Sequence, residues 1–302
     1  MATEDKDMAD LSVVGQSVYR TDANPKVTGR ALHVGNIEMP GMLHVAVLRS
    51  PYPHARIKRI DKAKAEALSG VTVVLTGAEI AKMPGVDAHF GPAFRDQPIL
   101  AVEKVCYAGD PVVAVAAVDR RTAEDALQLV EVDYEQLPAV FDVLEAVKPS
   151  APLVHEQHRP AKAFADLAHV KAGQQSNICY HFKLRTGDVD KAFAEADRVF
   201  EDTFSSPPAQ HVPMEPHVTL AYLDEHERLN VWTSSQSPSY VRTELSATFG
   251  IPMNRIRVRV PYIGGGYGAK LYAKLEPLVT VLALITRKPV RYALTREEEF
   301  LT

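Results

Sequence analysis

The sequence predicts a mixed α+β fold (α/β units in series), and three observations carry that expectation. Apolar, β-branched runs of strand length alternate with alanine- and leucine-spaced helical stretches in both halves of the chain. One proline- and histidine-rich stretch interrupts this texture, as a linker does. The 302 residues, 46% apolar and 24% charged, suffice for two domains with a substantial core.

The elements follow in order. Residues 1–14, "MATEDKDMADLSVV", read as a disordered acidic tail without the basic start and apolar core of a secretory signal, which points to a cytoplasmic protein. From 15 to 147, "MLHVAVLRS" and "VTVVLTG" have the length and composition of strands. "DKAKAEALSG" between them has helical spacing and stops at Gly70. "DPVVAVAAVD" reads as a buried strand, and "RRTAEDALQLVEVDYEQLP" as a helix and a further strand, with Thr122 and Asp125 as the helix-start pair. Residues 148–177 form a linker, and 178–302 a second unit. In that unit "GDVDKAFAEADRVFEDTF" predicts a helix and a strand, and "HVTLAYLDEHERLNVWTSSQSP" two strands across a polar turn. "SYVRTELSATFGIP" is a helix closed by Gly250, and "NRIRVRVPYI" a half-exposed strand. "LEPLVTVLALITRKP" is a buried helix ended by Pro289, and "VRYALTREEEF" restarts a strand with no terminal element after it.

Several classes are excluded early. A net charge of -4 gives no basic footprint for nucleic acid, and no apolar run approaches the roughly 20 residues of a membrane span. Cys106 and Cys179 read as small buried hydrophobes; two isolated cysteines cannot ligate an iron–sulfur cluster. His155, His158, His169 and His181 cluster in and beside the linker, where a surface loop is the expectation and a metal site the alternative.

The stretch "VPYIGGGYGAKLYAKLEP" places four of the chain's 16 glycines between a strand and a helix, where backbone must take positive φ or meet something closely. A P-loop would need a hydroxyl after Lys270, and Leu271 has none. Gly264, Gly266 and Ala269 fit a dinucleotide fingerprint only loosely, with no acidic residue at the expected distance. A nucleotide-binding module and a tight structural turn both remain open on glycines alone.

The ordered set around the loop says more. A Ser-Gln at the end of a strand, a helix, the link "GIPMNRI" and then "GGGYGAK" resembles the molybdenum hydroxylases, the xanthine dehydrogenase and aldehyde oxidase family. Gln236 stands 31 residues before Tyr267, at family spacing. "RTDANPKVTGRALHVGNIEMPGMLHVAVLRSPYPHARIKRID" and "VCYAGDPVVAVAAVDRRTAEDALQLVEVDYEQLPAV" resemble the opening and close of the family's hammerhead domain. "PPAQHVPMEPHVTLAYL" resembles the start of its cofactor domain.

The resemblance implies a hammerhead-type α/β domain over 15–147 and the first, incomplete molybdopterin-binding α+β domain over 178–302. It implies Gln236, Gly265, Gly266, Tyr267 and Gly268 beside a molybdenum–molybdopterin cofactor, with Gln236 and Tyr267 near the metal without ligating it. The cytosine dinucleotide form of the pterin is one candidate. Leu271 takes the substrate-pocket position where purine-oxidising members carry Glu, which disfavours xanthine and leaves aldehydes, N-heteroaromatics and related small molecules. Glu276 reads as structural, Glu215 as structural or channel-lining, and His211 and His217 as packing. The family's general base lies in a C-terminal half that this sequence lacks, so no catalytic residue is assigned and the chain alone is expected to be inactive. The expected partners are the remainder of the molybdopterin-binding subunit, a 2Fe-2S subunit and an FAD subunit. The helix "LVTVLALI" is expected to expose an apolar face to them. The reaction implied is oxidation of a small molecule with water-derived oxygen; the alternative is a non-catalytic assembly or scaffold subunit.

Overall fold

The computed structural model describes residues 12–156, 159 and 176–302. Residues 1–11 of the expected tail, and His158 and His169 of the expected linker, lie outside the described residues. The first region runs through a short helix α1 (Ala23–Val27), β1 (Leu43–Arg49), β2 (Ala55–Asp61), α2 (Ala63–Glu66), β3 (Val71–Thr76) and α3 (Gly77–Ile80). Three two-residue strands, β4 (His89–Phe90), β5 (Gln97–Pro98) and β6 (Lys104–Val105), lead to β7 (Pro111–Ala117), α4 (Arg120–Leu127), β8 (Glu131–Gln136) and α5 (Val143–Ala146). The second region contributes α6 (Val189–Glu195), β9 (Val218–Leu223), β10 (Leu229–Thr233), α7 (Pro238–Phe249), β11 (Ile256–Arg259), α8 (Glu276–Thr286), β12 (Val290–Ala293) and α9 (Arg296–Leu301).

Both regions build one seven-stranded sheet, in the order β11-β10-β9-β12-β1-β7-β3. The seam between them is a parallel pair, Leu43 of β1 opposite Val290 of β12. Alternate residues of the central strands feed two different cores, because side chains alternate faces along a strand. Val45 and Val47 of β1, Ala114 and Ala116 of β7 and Leu75 of β3 join α7 and α8 on one face. Ala46, Val74, Val113 and Val115 turn to the other face, against Ala123 and Ala126 of α4. Strand β7 is apolar throughout because both of its faces are covered. A separate three-stranded sheet, β6-β2-β8, carries the exposed charges of the first region, with Arg59 paired to Asp133 across strands at 3.0 Å.

The helices expected over "SYVRTELSATF" and "LEPLVTVLALIT" are present, the first closed by Gly250 at φ +63°. Several expectations need correction. Helix α8 is buried all round from Glu276 to Ala283, so of "LVTVLALI" only Ile285 at its end is exposed; α7 and strands of both regions cover the rest. The expected strand over "VRYALTREEEF" stops at Ala293, because Thr295 and Glu298 form a reciprocal capping box that starts α9. The first turn of α4 is capped by Asp119, whose carboxylate accepts the Thr122 N–H at 2.7 Å, and not by Thr122 with Asp125. No strand forms between α6 and Phe204, where one was expected, and Phe182, Phe193, Phe200 and Phe204 lie exposed. Cys106 is half-buried, its thiol pushed up to about 11 by burial, but Cys179 is exposed and is no core residue. Strand β2 carried no sequence expectation, because four of its seven residues are charged and a bulge between Ile57 and Arg59 breaks the alternation of its apolar residues.

Candidate functional site

The site forms where the link after β10 meets the loop before α8. Ser234, Ser235 and Gln236 connect β10 to α7, and the Ser237 N–H is turned onto the Ser235 hydroxyl at 3.0 Å. The Gln236 N–H donates to the Lys270 carbonyl at 2.8 Å, and the Gln236 side-chain oxygen accepts the Gly268 N–H at 3.0 Å. Thus the residues singled out by spacing, Gln236 and the loop Gly265–Gly268, are in contact through the glutamine amide. Gln236 and Tyr267 both face solvent, Tyr267 with 70% of its surface exposed. Leu271 lies one turn beyond, also exposed, its N–H on the Gly268 carbonyl at 3.2 Å.

Each glycine has its own reason. Gly265 and Gly268 take φ +100° and +99°, a region that favours glycine. A Cβ on Gly266 would run into the Gln236 amide, and one on Gly264 would stand 2.5 Å from the Glu215 Cβ. Tyr267 itself sits at φ +54°, an uncommon conformation for an aromatic residue. The N–H groups of Gly265, Gly266 and Tyr267 donate to no acceptor among the described residues. Three consecutive donors are thus left without a protein acceptor beside positive-φ backbone, chemistry suited to an anionic or oxo group.

Three further side chains hold the loop. Glu215 accepts the Gly264 N–H at 2.8 Å and the Lys270 ammonium at 3.1 Å on the same oxygen. Lys270 is 1% exposed; burial holds its ammonium below the usual lysine value, and Glu215 offsets part of that. His217 is buried with Nε2 3.1 Å from the Ala269 carbonyl and Nδ1 2.9 Å from Glu299. Burial alone would raise the Glu299 carboxyl, but the ring and backbone N–H groups of His217 outweigh it and hold the group down to about 2. His211 is exposed rather than packed, with Nε2 3.6 Å from where a Gly268 Cβ would stand. Glu276 is structural, as expected: buried at the start of α8, it accepts the Thr233 hydroxyl at 2.7 Å and the Lys274 N–H at 2.8 Å. No group of three or more His, Cys, Asp or Glu suited to a metal ion occurs among the described residues; His155 and His181 belong to none.

Comparison with known proteins bears on what this arrangement is for. Residues 28–138 match the a/b hammerhead domain of aldehyde oxidase and xanthine dehydrogenase, and residues 170–302 match the molybdopterin cofactor-binding domain. The chain belongs to the xanthine dehydrogenase and aldehyde oxidase family of molybdenum hydroxylases. Among these molybdenum hydroxylases, it is 32% identical to the nicotinate dehydrogenase large molybdopterin subunit of Eubacterium barkeri, over 96% of this chain and 63% of that protein. It is 35% identical to the carbon monoxide dehydrogenase large chain of Afipia carboxidovorans, over 91% of this chain and 34% of that one. The crystal structure of quinoline 2-oxidoreductase from Pseudomonas putida 86 superposes with a TM-score of 0.79 at 34% identity, over 95% of this chain and 35% of that chain. The chain therefore spans from about a third to under two thirds of the length of these relatives. No helix among the described residues is long and apolar enough to cross a membrane.

Sequence reasoning missed Lys270 and Glu299 as supports of this molybdenum hydroxylase loop. Glu299 sits in the acidic run "REEEF", and only the capping box of α9 decides which of its three glutamates turns inward. His217 was expected as packing and does pack, but it also carries the loop's Ala269 carbonyl.

Proposed function

We propose that this chain supplies one wall of the cofactor site of a molybdenum hydroxylase that oxidises an aldehyde, an N-heteroaromatic or a related small molecule. The observation that carries the reading is the contact between Gln236 and the glycine loop, which leaves the three N–H groups from Gly265 to Tyr267 open beside it. A molybdopterin cofactor fits this donor set: its oxo, dithiolene and phosphate groups are acceptors, and Gly265 and Gly266 offer backbone donors with no side chain of their own, beside the Tyr267 ring that lies against Gly265. When bound, the molybdenum cofactor supplies the two-electron oxidation, with oxygen drawn from water. The chain's own part is positioning. Gln236 fixes the Gly268 end of the loop through its side-chain oxygen and leaves its NH2 group for a further acceptor. Tyr267, exposed and held at positive φ, covers the rim. Leu271 offers no hydrogen-bonding group to a purine ring, so the substrate class lacks that requirement.

The remaining parts of the site come from elsewhere in the assembly: the rest of the molybdopterin-binding subunit, with a 2Fe-2S subunit and an FAD subunit carrying electrons away. The exposed apolar residues between Ile178 and Phe204 are the surface this reading gives to the rest of the large subunit. The test is to co-produce the chain with those parts and measure molybdenum, iron and released pterin in the purified complex. Close to one molybdenum per copy, with a pterin whose mass distinguishes the cytosine dinucleotide form from the simple one, is the expected result. A complex that carries iron and flavin but no molybdenum overturns it in favour of a scaffold subunit.

A further inference from the structure

We propose that Glu215 is the positioning residue of the glycine loop: one side chain that fixes both ends of the Gly264–Lys270 segment at once. At the near end, the Glu215 carboxylate accepts the Gly264 N–H at 2.8 Å, and the Glu215 N–H donates to the Gly264 carbonyl at 3.0 Å. At the far end, the Lys270 ammonium donates to the same carboxylate oxygen at 3.1 Å and to the Glu215 carbonyl at 2.7 Å. Hydrogen bonds to charged partners in a buried setting are the strong ones. Gly264 presses so closely on Glu215 that no side chain fits between them. Pinning both ends fixes where the open N–H groups of Gly265, Gly266 and Tyr267 stand, and brings Gly268 onto Gln236.

The chemistry of the clasp separates geometry from charge. Glu215 Oε2 takes both bonds, whereas Oε1 is buried with no partner. In E215Q the amide oxygen takes the place of Oε2 and keeps both donors, while the NH2 group takes the place of the idle oxygen. The glutamine variant therefore keeps the clasp without the charge. E215A loses it.

The inference deepens the cofactor reading and rests on it only for its last consequence, so two readouts are needed. In the 302-residue chain, amide hydrogen exchange is measured at Gly268 and Ala269, the hydrogen-bonded amides of the loop that do not donate to Glu215, with Val45, Val47, Val113 and Val115 as the core reference. E215A is expected to speed loop exchange by roughly tenfold or more, with core protection unchanged. E215Q is expected to stay within about threefold of the parent chain. Loop exchange unchanged in E215A, or E215Q as fast as E215A, overturns the clasp whatever the metal content. If E215A does not fold, E215D is read in the same way, since the shorter side chain cannot reach both ends. In the assembled complex, E215A is expected to lose molybdenum and E215Q to keep it. A loosened loop with molybdenum retained leaves the clasp standing and overturns its role in holding the cofactor.

Discussion

At the scale of single residues, the glycine loop shows that one motif can answer several separate demands. Gly265 and Gly268 are set by φ, Gly264 by Glu215 and Gly266 by the Gln236 amide. G266A is therefore expected to drive the Gln236 side chain off the Gly268 N–H. A displacement of about 1 Å beside a reacting centre lowers turnover on the order of a hundredfold, and steady-state rates of the assembled complex check this, with a thermal melt to show the fold intact. The pattern of glycines and the spacing to Gln236 were legible in the sequence, because both are local. Glu215 was legible only as a carboxylate between two prolines, because its partners lie about 50 residues away. A different residue carries a pH prediction. Burial pushes the Asp110 carboxyl up to about 6, against the Cys106 N–H bond and Arg49, which lower it. A raised carboxyl gives its contribution below the ordinary value near 3.8, and that contribution is lost as pH rises through 6. D110N keeps the acceptor for Cys106 and removes the buried charge. It is expected to be more stable than the parent by about 2–3 kcal/mol at pH 8 and nearly equal at pH 3.5, as denaturant titrations at the two pH values will show.

At the scale of elements, strands and helices with a continuous or periodic apolar pattern were readable: β1, β3, β7, β9, β10, α7 and α8 stand where their patterns put them. The misreadings share a cause. Strand β2 pairs at the surface, where charges overwrite the period, and the segment after α6 has strand composition but no ladder to join among the described residues. Helix α9 was read as strand because its signal is a cap, Thr295 with Glu298, and not a hydrophobic period. That helix holds the second pH-sensitive point. Glu299, held down to about 2 by His217, adds stability above its ordinary value near 4.5, and this is lost as the pH falls from 4.5 toward 2. E299Q is expected to cost on the order of 3 kcal/mol at pH 6, with the gap to the parent closing as the pH approaches 2. Melting temperatures of both proteins across that range decide it.

At the scale of the whole molecule, the sequence was expected to divide into regions 15–147 and 178–302, and the way they join in one sheet was not readable from it. Their apolar patterns look alike from either side, and nothing local says that β12 lies beside β1. A second tie joins them. Arg95, 1% exposed, donates to Glu244 of α7 at 2.8 Å, to Asp87 at 3.0 Å and to the Thr248 hydroxyl at 3.0 Å. E244A leaves the guanidinium buried without one of its two carboxylates and is expected to lose about 3–5 kcal/mol, read as a lower denaturant midpoint. R95M/E244L, which removes both charges, is expected to recover most of that loss.

The β1–β12 seam also orders events in time. As the chain leaves the ribosome, β1 is made well before β12, its neighbour on one side, since Val290 follows Leu43 by 247 residues (290 − 43). Until Val290 emerges, β1, β7 and β3 present an open edge to the cell, with hydrogen-bonding groups facing any passing strand. Long-range pairing of this kind is slow, so the edge stays unpaired for as long as that stretch of chain takes to be made and to find β1.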